Sequence, residues 1–264
     1  MDTIGYIASI SIGISLGLIG GGGSILTVPV LVYLFRIDAA VATVYSLFIV
    51  GMTSVAGSFT YFRKGLVNMN TALIFGIPSI VSVFLTRTFF VPAIPDEVFT
   101  LANFSLTKDI MLMLLFAVLM IFASYNMIKK CKGEDCFKTD NKPVKNTAIV
   151  LQGALVGFVT GLIGAGGGFL IIPALVGLLK LDIKNAIGTS LFIIAINSLF
   201  GFGVSISYFV IEWNLILKIL GLAILGVLIG SWLSTKIDGK KLKPAFGWFV
   251  LVMGVYILIK ETLI

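Results

Sequence analysis

Two glycine tracts hold the residues best suited to chemistry in this chain. The first is Gly17-Leu18-Ile19-Gly20-Gly21-Gly22-Gly23-Ser24, five residues before Pro29, and the second is Gly161-Leu162-Ile163-Gly164-Ala165-Gly166-Gly167-Gly168, five residues before Pro173. With a constant offset of 144, residues 13–57 and 157–201 agree at 20 of 45 positions, so the chain carries an internal duplication. Glycine costs a helix about 1 kcal/mol relative to alanine, so each tract should break the apolar helix it interrupts. The helix that restarts after each break presents free N–H groups and the positive end of its dipole to the gap. Such an end binds anions, and the absence of a Cβ lets an oxyanion approach the backbone. Gly22, Gly23 and Ser24 in one half, and Gly166, Gly167 and Gly168 in the other, are therefore expected to cradle an anion without a charged side chain. Hydroxyl and amide side chains fall at matching places in the copies: Ser46 with Ser190, preceded by Tyr45 and Thr189, and Thr53-Ser54 with Asn197-Ser198. Ser46, Thr189, Ser190 and Asn197 are the expected side-chain donors, although Ser and Thr in membrane helices often bond only to their own preceding turn.

Other chemistries lack their residues. Neither tract ends in Gly-Lys-Ser/Thr, and both follow apolar helices, which argues against a P-loop and against a dinucleotide-binding turn. The chain has no histidine, and Cys131 and Cys136 stand alone in a polar loop, too few for a structural zinc site. No nucleophile–base pair or acid pair is visible, so no enzyme, cofactor or metal is expected. Asp38 and Asp182 precede long segments and read as N-caps. Arg87 lies toward the end of its segment and is expected to snorkel, while Glu212 and Lys218 flank a turn; no carboxylate relay inside the membrane is visible.

The elements that must position the tracts are set by composition. With 58% hydrophobic residues, 12% charged residues and a mean hydropathy of +1.11, the chain reads as an integral membrane protein. Its apolar runs lack period-2 alternation, so helices and not barrel strands are expected. The first run, 4–20, carries Gly5, Ser9, Gly13 and Gly17 four apart, a spacing for close helix packing. The piece 24–35 is too short to cross a bilayer of roughly 30 Å alone. Longer runs follow at 39–62, 70–92 and 109–128; after the linker the second half repeats the plan at 147–163, 168–179, 185–211, 214–235 and 244–259. The division is a first membrane repeat, 1–128, a charged linker, 129–146, and a second repeat, 147–264.

Lysine and arginine decide the parity. If each glycine break lies within one crossing, the halves point the same way and the basic residues split 10 inside to 9 outside. An even number of crossings inverts the halves and puts 14 inside, leaving only Arg36, Arg87, Lys108, Lys218 and Lys260 outside. The positive-inside rule favours inversion, with the central loop cytoplasmic and both termini outside. The expected fold is an all-α polytopic membrane protein of two inverted-topology repeats, each of about five helical segments, with glycine-broken helices near the midplane. Two short spans and a re-entrant hairpin share this parity. Inverted repeats with interrupted helices are the pattern of secondary transporters. The net charge of +7 sits in loops, where it orients the protein and does not point to nucleic acid.

The doubled GLIGGGGSxLTVP and GLIGAGGGxLIIP, followed by Val44-Tyr45-Ser46-Leu47 and Gly188-Thr189-Ser190-Leu191, resemble the TauE/SafE sulfite exporter family, also called the toluene sulfonate uptake permease family. The resemblance implies a multi-pass inner-membrane transporter, bacterial or archaeal, of small sulfur oxyanions or organosulfonates such as sulfite or thiosulfate. The first half departs from Gly-Thr-Ser at Val44-Tyr45-Ser46, so that Tyr45 would narrow an asymmetric site. The expected mechanism is alternating access, in contact with membrane lipid; the coupling ion and a homo-oligomeric state stay open. The rivals are an anion channel and a non-transporting assembly factor or receptor whose glycines serve only packing.

Overall fold

The structure, a computed structural model, describes residues 2–19, 24–95, 97–101, 104–128, 146–164, 166–177, 179, 181, 183–233 and 239–263. The first half runs α1 (Asp2–Ile19), α2 (Ser24–Tyr33), α3 (Ala39–Arg63) and α4 (Met69–Leu85). The last of these continues through a wide π turn, Thr86–Phe90, into the single turn α5 (Val91–Ala93). An antiparallel hairpin, β1 (Glu97–Leu101) with β2 (Phe104–Thr107), then leads into α6 (Lys108–Ile128). The second half runs α7 (Asn146–Ile163), α8 (Gly168–Gly177), α9 (Ile183–Ser205), α10 (Trp213–Leu233) and α11 (Gly239–Leu263). The fold is an all-α polytopic membrane protein; the hairpin lies outside the spans, where the sequence shows only a polar stretch. Among the described residues five helical segments are long and apolar enough to cross a bilayer, and the pieces beside the glycine breaks are shorter. Large apolar side chains such as Phe59, Ile77, Val118, Leu155, Leu228 and Val252 stand exposed on them, as lipid-facing positions do.

The halves interlock. α1 packs on α10 of the other half and α7 packs on α4, while α3 crosses α9 and α6 pairs with α11. Exchanging the halves turns the α1–α10 pair into the α7–α4 pair and returns the α3–α9 and α6–α11 pairs to themselves. Small residues make the first two contacts. A Cβ at Gly13 would fall on the Ala223 carbonyl, and one at Gly17 would lie 2.8 Å from the Ser231 nitrogen. The second-half equivalents, Gly157 and Gly161, meet Ser79 and Thr86 in the same way. The sequence expectation of close packing through Gly13 and Gly17 is thus met. Gly5 instead faces the Phe35 ring, and Tyr6 packs edge-on against that ring with centroids 5.7 Å apart. The chain leaving α2 therefore comes back to where α1 began. At the α3–α9 crossing Leu47 meets Gly201, Gly51 meets Leu199 and Tyr61 meets Gly188, so these two equivalent helices run antiparallel.

A side chain from each of α3 and α9 ties down the start of a helix in the opposite half. The Tyr45 hydroxyl accepts from the Glu212 N–H at 2.9 Å, one residue before α10. Thr189 Oγ1 accepts from the Asn68 N–H at 2.9 Å, one residue before α4. Positions 45 and 189 are repeat equivalents, as are 68 and 212, so this is one staple made twice. Removing one partner of such a bond costs about 1 kcal/mol. Tyr45→Phe and Thr189→Val are each expected to lower stability by about that amount, seen as a lower thermal-unfolding midpoint in detergent.

Asp38 occupies the N-cap position of α3, but its side chain makes no capping bond. The Ala40 N–H in the first turn is taken instead by Asp109 Oδ1 from α6, at 3.0 Å. A carboxylate from a neighbouring helix therefore does the work expected of Asp38. Asp182 lies outside the described residues.

Candidate functional site

The second glycine break can be built residue by residue. α7 ends at Ile163, and Gly164, Gly166 and Gly167 take φ values of 71°, 67° and 66°, a left-handed region that side chains strongly disfavour. α8 restarts at Gly168, and its ladder begins with Leu170 and Ile171 donating to the Gly167 carbonyl. The Gly168 and Phe169 N–H groups precede that ladder and have no acceptor within the helix. A Cβ at Gly166 would lie 3.0 Å from Ser198 Oγ and 2.6 Å from Val50, and one at Gly167 would fall on Thr160 Oγ1. Both hydroxyls are buried, at 0% and 1% exposure, and neither has a hydrogen-bond partner among the described residues. Glycine is thus required here twice over, by backbone conformation and by the side chains that crowd its Cα.

Ser54, the repeat equivalent of Ser198, is likewise fully buried, and its hydroxyl has no partner among the described residues. Leaving a buried hydroxyl unsatisfied costs about 1–3 kcal/mol, so its retention in both halves calls for a use. Ser54 and Ser198 lie at matched positions that the sequence already offers as possible donors, although Ser46, Thr189, Ser190 and Asn197 are the ones preferred there. The expected donors have mixed fates. Gly166, Gly167 and Gly168 form the break itself; Gly22 and Gly23 lie outside the described residues; Ser24 is buried at the start of α2. Ser46 is buried, and its hydroxyl has no partner among the described residues. Ser190 donates to the Ile187 carbonyl of its own helix at 2.9 Å, Asn197 donates to Ser79 Oγ at 2.6 Å, and Thr189 forms the staple described above. Tyr45 is engaged in the matching staple.

Arg87 corrects the sequence reading. It does not snorkel but is buried to 3% exposure within the π turn. Its Nη1 donates to Thr43 Oγ1 at 3.2 Å, whereas Nε and Nη2 have no partner among the described residues. Nη2 would stand 2.8 Å from a Cβ at Gly164, so the guanidinium lies against the glycine break itself. Arg87 also lines a cavity of about 170 Å³ together with Lys108, Ser205, Tyr208 and Phe209. A lone arginine near the end of an apolar run gives no sign of this in sequence. Its repeat equivalent is Ser231, so the duplication does not mark it either.

Comparison with known proteins places this architecture. The family model for sulfite exporter TauE/SafE matches residues 6–257, nearly the whole chain. The chain belongs to the TauE/SafE family. Curated relatives carry the name probable membrane transporter protein: one from Xylella fastidiosa (strain Temecula1) is 28% identical over 257 residues, covering 94% of this chain and 91% of the relative. One from Methanocaldococcus jannaschii is 28% identical, covering 94% and 92%, and YunE of Bacillus subtilis is 27% identical, covering 90% of each chain. No solved structure matches. This TauE/SafE chain is therefore a multi-pass membrane transporter and not an enzyme.

Proposed function

We propose that this TauE/SafE chain moves a small sulfur-containing anion, such as sulfite, thiosulfate or an organosulfonate, by alternating access. Its central site is the gap at the glycine breaks. The observation that carries the reading is the second break, where N–H groups at the start of α8 that have no acceptor within that helix adjoin the buried hydroxyls of Ser198 and Thr160, which have no partner among the described residues. Hydroxyls and backbone amides in a water-poor interior give strong donors to an anion. By the duplication, Gly22, Gly23, Ser24 and Ser54 supply the matching wall, with Ser46 beside it. Thr189 and Ser190 support the frame, and Asn197 holds α9 to α4 through Ser79. Sulfur chemistry of the substrate rests on the family description.

Inverted repeats supply the two states. Equivalent helices of such repeats run in opposite directions, as α3 and α9 do, and an even number of crossings before α3 requires the return of α2 to the start of α1. The basic residues then put the central loop in the cytoplasm and both termini outside, in a cell membrane. Repeats 1–128 and 147–264 exchange partners across the 129–146 linker, so the α1–α10 and α7–α4 pairs would move as units against the α3–α9 crossing.

Liposomes containing purified protein test this reading. Labelled sulfite or thiosulfate should enter saturably and be accelerated by the same anion inside, behaviour that an anion channel does not show. A hydrogen bond to a charged group contributes about 1.5–3 kcal/mol, so Ser198→Ala should raise the half-saturating concentration about tenfold or more, and Ser54→Ala should act in the same direction. Flux without saturation or counterflow sinks alternating access. Unchanged saturation in both variants removes the central site.

A further inference from the structure

We propose that Arg87 forms a second anion site, separate from the central cradle and present in one half only, which docks a small tetrahedral oxyanion or sulfonate in the cavity beside the hairpin. The inference borrows from the proposed function only the class of anion; it does not require transport. Three observations carry it. First, the free donors of Arg87 are Nε and Nη2, the side-on edge of the guanidinium, whose two parallel N–H groups match two oxygens of one oxyanion. Nη1 is held by Thr43 Oγ1, itself donating to the Ala40 carbonyl, and this fixes the plane of the fork. Secondly, among the described residues no carboxylate pairs with Arg87; the nearby acid of α6, Asp109, is engaged by the Ala40 N–H. An arginine placed within a membrane span is costly, and such residues mark pathways for ions or substrates. Thirdly, Arg87 is one of the residues lining the cavity of about 170 Å³, whose walls also include Lys108 and the exposed Tyr208. That volume is about five or six waters' worth, which suits one small anion with part of its hydration shell.

The position of the fork adds a direction. Arg87 lines the cavity and also lies against Gly164 through Nη2, so an anion docked there stands next to the central break. At the equivalent place in the other half the residue is Ser231, which offers no charge. Capture from the cavity side is therefore assisted by a cation, and capture from the opposite side is not. The π turn serves this placement: the extra residue in Thr86–Phe90 turns Arg87 inward, at a break in helix periodicity of the kind that recurs at functional sites.

Occupancy can be read without flux. In a background lacking Cys131 and Cys136, Tyr208→Cys places a thiol on the cavity wall, and its maleimide labelling rate reports access. Sulfate and methanesulfonate, compared with gluconate at matched ionic strength, should slow labelling in phosphatidylcholine nanodiscs. Arg87→Gln should weaken that protection about tenfold or more, the loss of a bidentate charged pair, while Arg87→Lys, a point charge without the fork, keeps part of it. If Arg87→Gln does not fold, Arg87→Lys and the protection curve with Arg87 intact still decide. A lipid phosphate offers the same chemistry as a dissolved anion. Protection in phosphatidylglycerol nanodiscs without added anion, absent in phosphatidylcholine, would assign the site to headgroups; protection only on adding sulfate assigns it to a soluble anion. No protection by either anion in either lipid, or protection that is equal with Arg87 intact and in the Arg87→Lys and Arg87→Gln variants, overturns the proposal. Intact protection in protein that shows no saturable flux would instead sink the transport reading and leave this site standing.

Discussion

Leucine in place of Gly167 should abolish saturable anion flux in protein that still inserts and purifies as a single species. Two costs add at this residue. The backbone sits at φ 66°, where an L side chain costs about 1–2 kcal/mol. A Cβ would also fall on Thr160 Oγ1 and come within 3.4 Å of Val156, so the side chain can be seated only by pushing α7 away from the break. Both effects displace the free N–H groups of α8 and the Thr160 hydroxyl, the parts of the proposed cradle. Movement of about 1 Å is enough to cost about a hundredfold in a site that depends on position. Gly167→Ala should give a smaller loss in the same direction. Gly221 provides the control: it is exposed, helical, and has nothing within 4 Å of a would-be Cβ, so Gly221→Ala should leave flux unchanged and stability level or slightly raised. If Gly167→Leu transports with unaltered affinity, the break is a hinge or a packing device and not a binding element.

The contrast between these glycines shows what the sequence can and cannot carry. Spans and breaks are legible because the physics behind them is local: apolar runs of bilayer length, and clustered glycines that a helix does not tolerate. The duplication is equally legible, but repeat symmetry selects whatever both halves need. Position 45/189 keeps a hydroxyl for its bond to the N–H of residue 212/68, a contact between elements far apart in the chain. Ser54 and Ser198 follow the same rule of repetition, and only their lack of partners separates them from the staple residues. Tyr45 in place of the expected threonine thus has a structural use, its hydroxyl accepting from the Glu212 N–H. Arg87 escapes a sequence reading for the opposite reason. Its value comes from a wide turn in α4 and from packing on Gly164, features written in the tertiary fold, and snorkelling is the default for a cation near a helix end. The hairpin over Glu97–Thr107 is hidden because it is polar at both ends and short, although its backbone pairs Glu97 with Thr107 and Leu101 with Phe104.

Leucine at Gly13 should fail in a different way, by loss of the assembled fold. Gly13 and Gly226 face each other across the α1–α10 contact, and a Cβ at 13 would meet the Ala223 carbonyl and stand 2.9 Å from the Gly226 Cα. These are backbone atoms of a packed helix and cannot yield by a change of rotamer. Without a hydrophobic force between helices in lipid, close approach through small residues supplies the association, so separating the pair removes its van der Waals contact along the whole seam. Overpacking of a core costs about 1–3 kcal/mol, and here the obstacle is rigid, so several kcal/mol is expected. Gly157→Leu should match it, because Gly157 meets Ser79 at the equivalent contact between α7 and α4. The measurement is the yield of monodisperse protein and its thermal midpoint, which should fall sharply for both variants, with anion binding intact in whatever fraction folds. Gly167→Leu should show the reverse pattern, lost binding in the fraction that folds, whatever its yield. That opposition separates glycines that bring helices together from glycines that open a site. If all three variants only lower yield, the glycines of this chain serve packing throughout, and the reading of the breaks as an anion cradle falls with it.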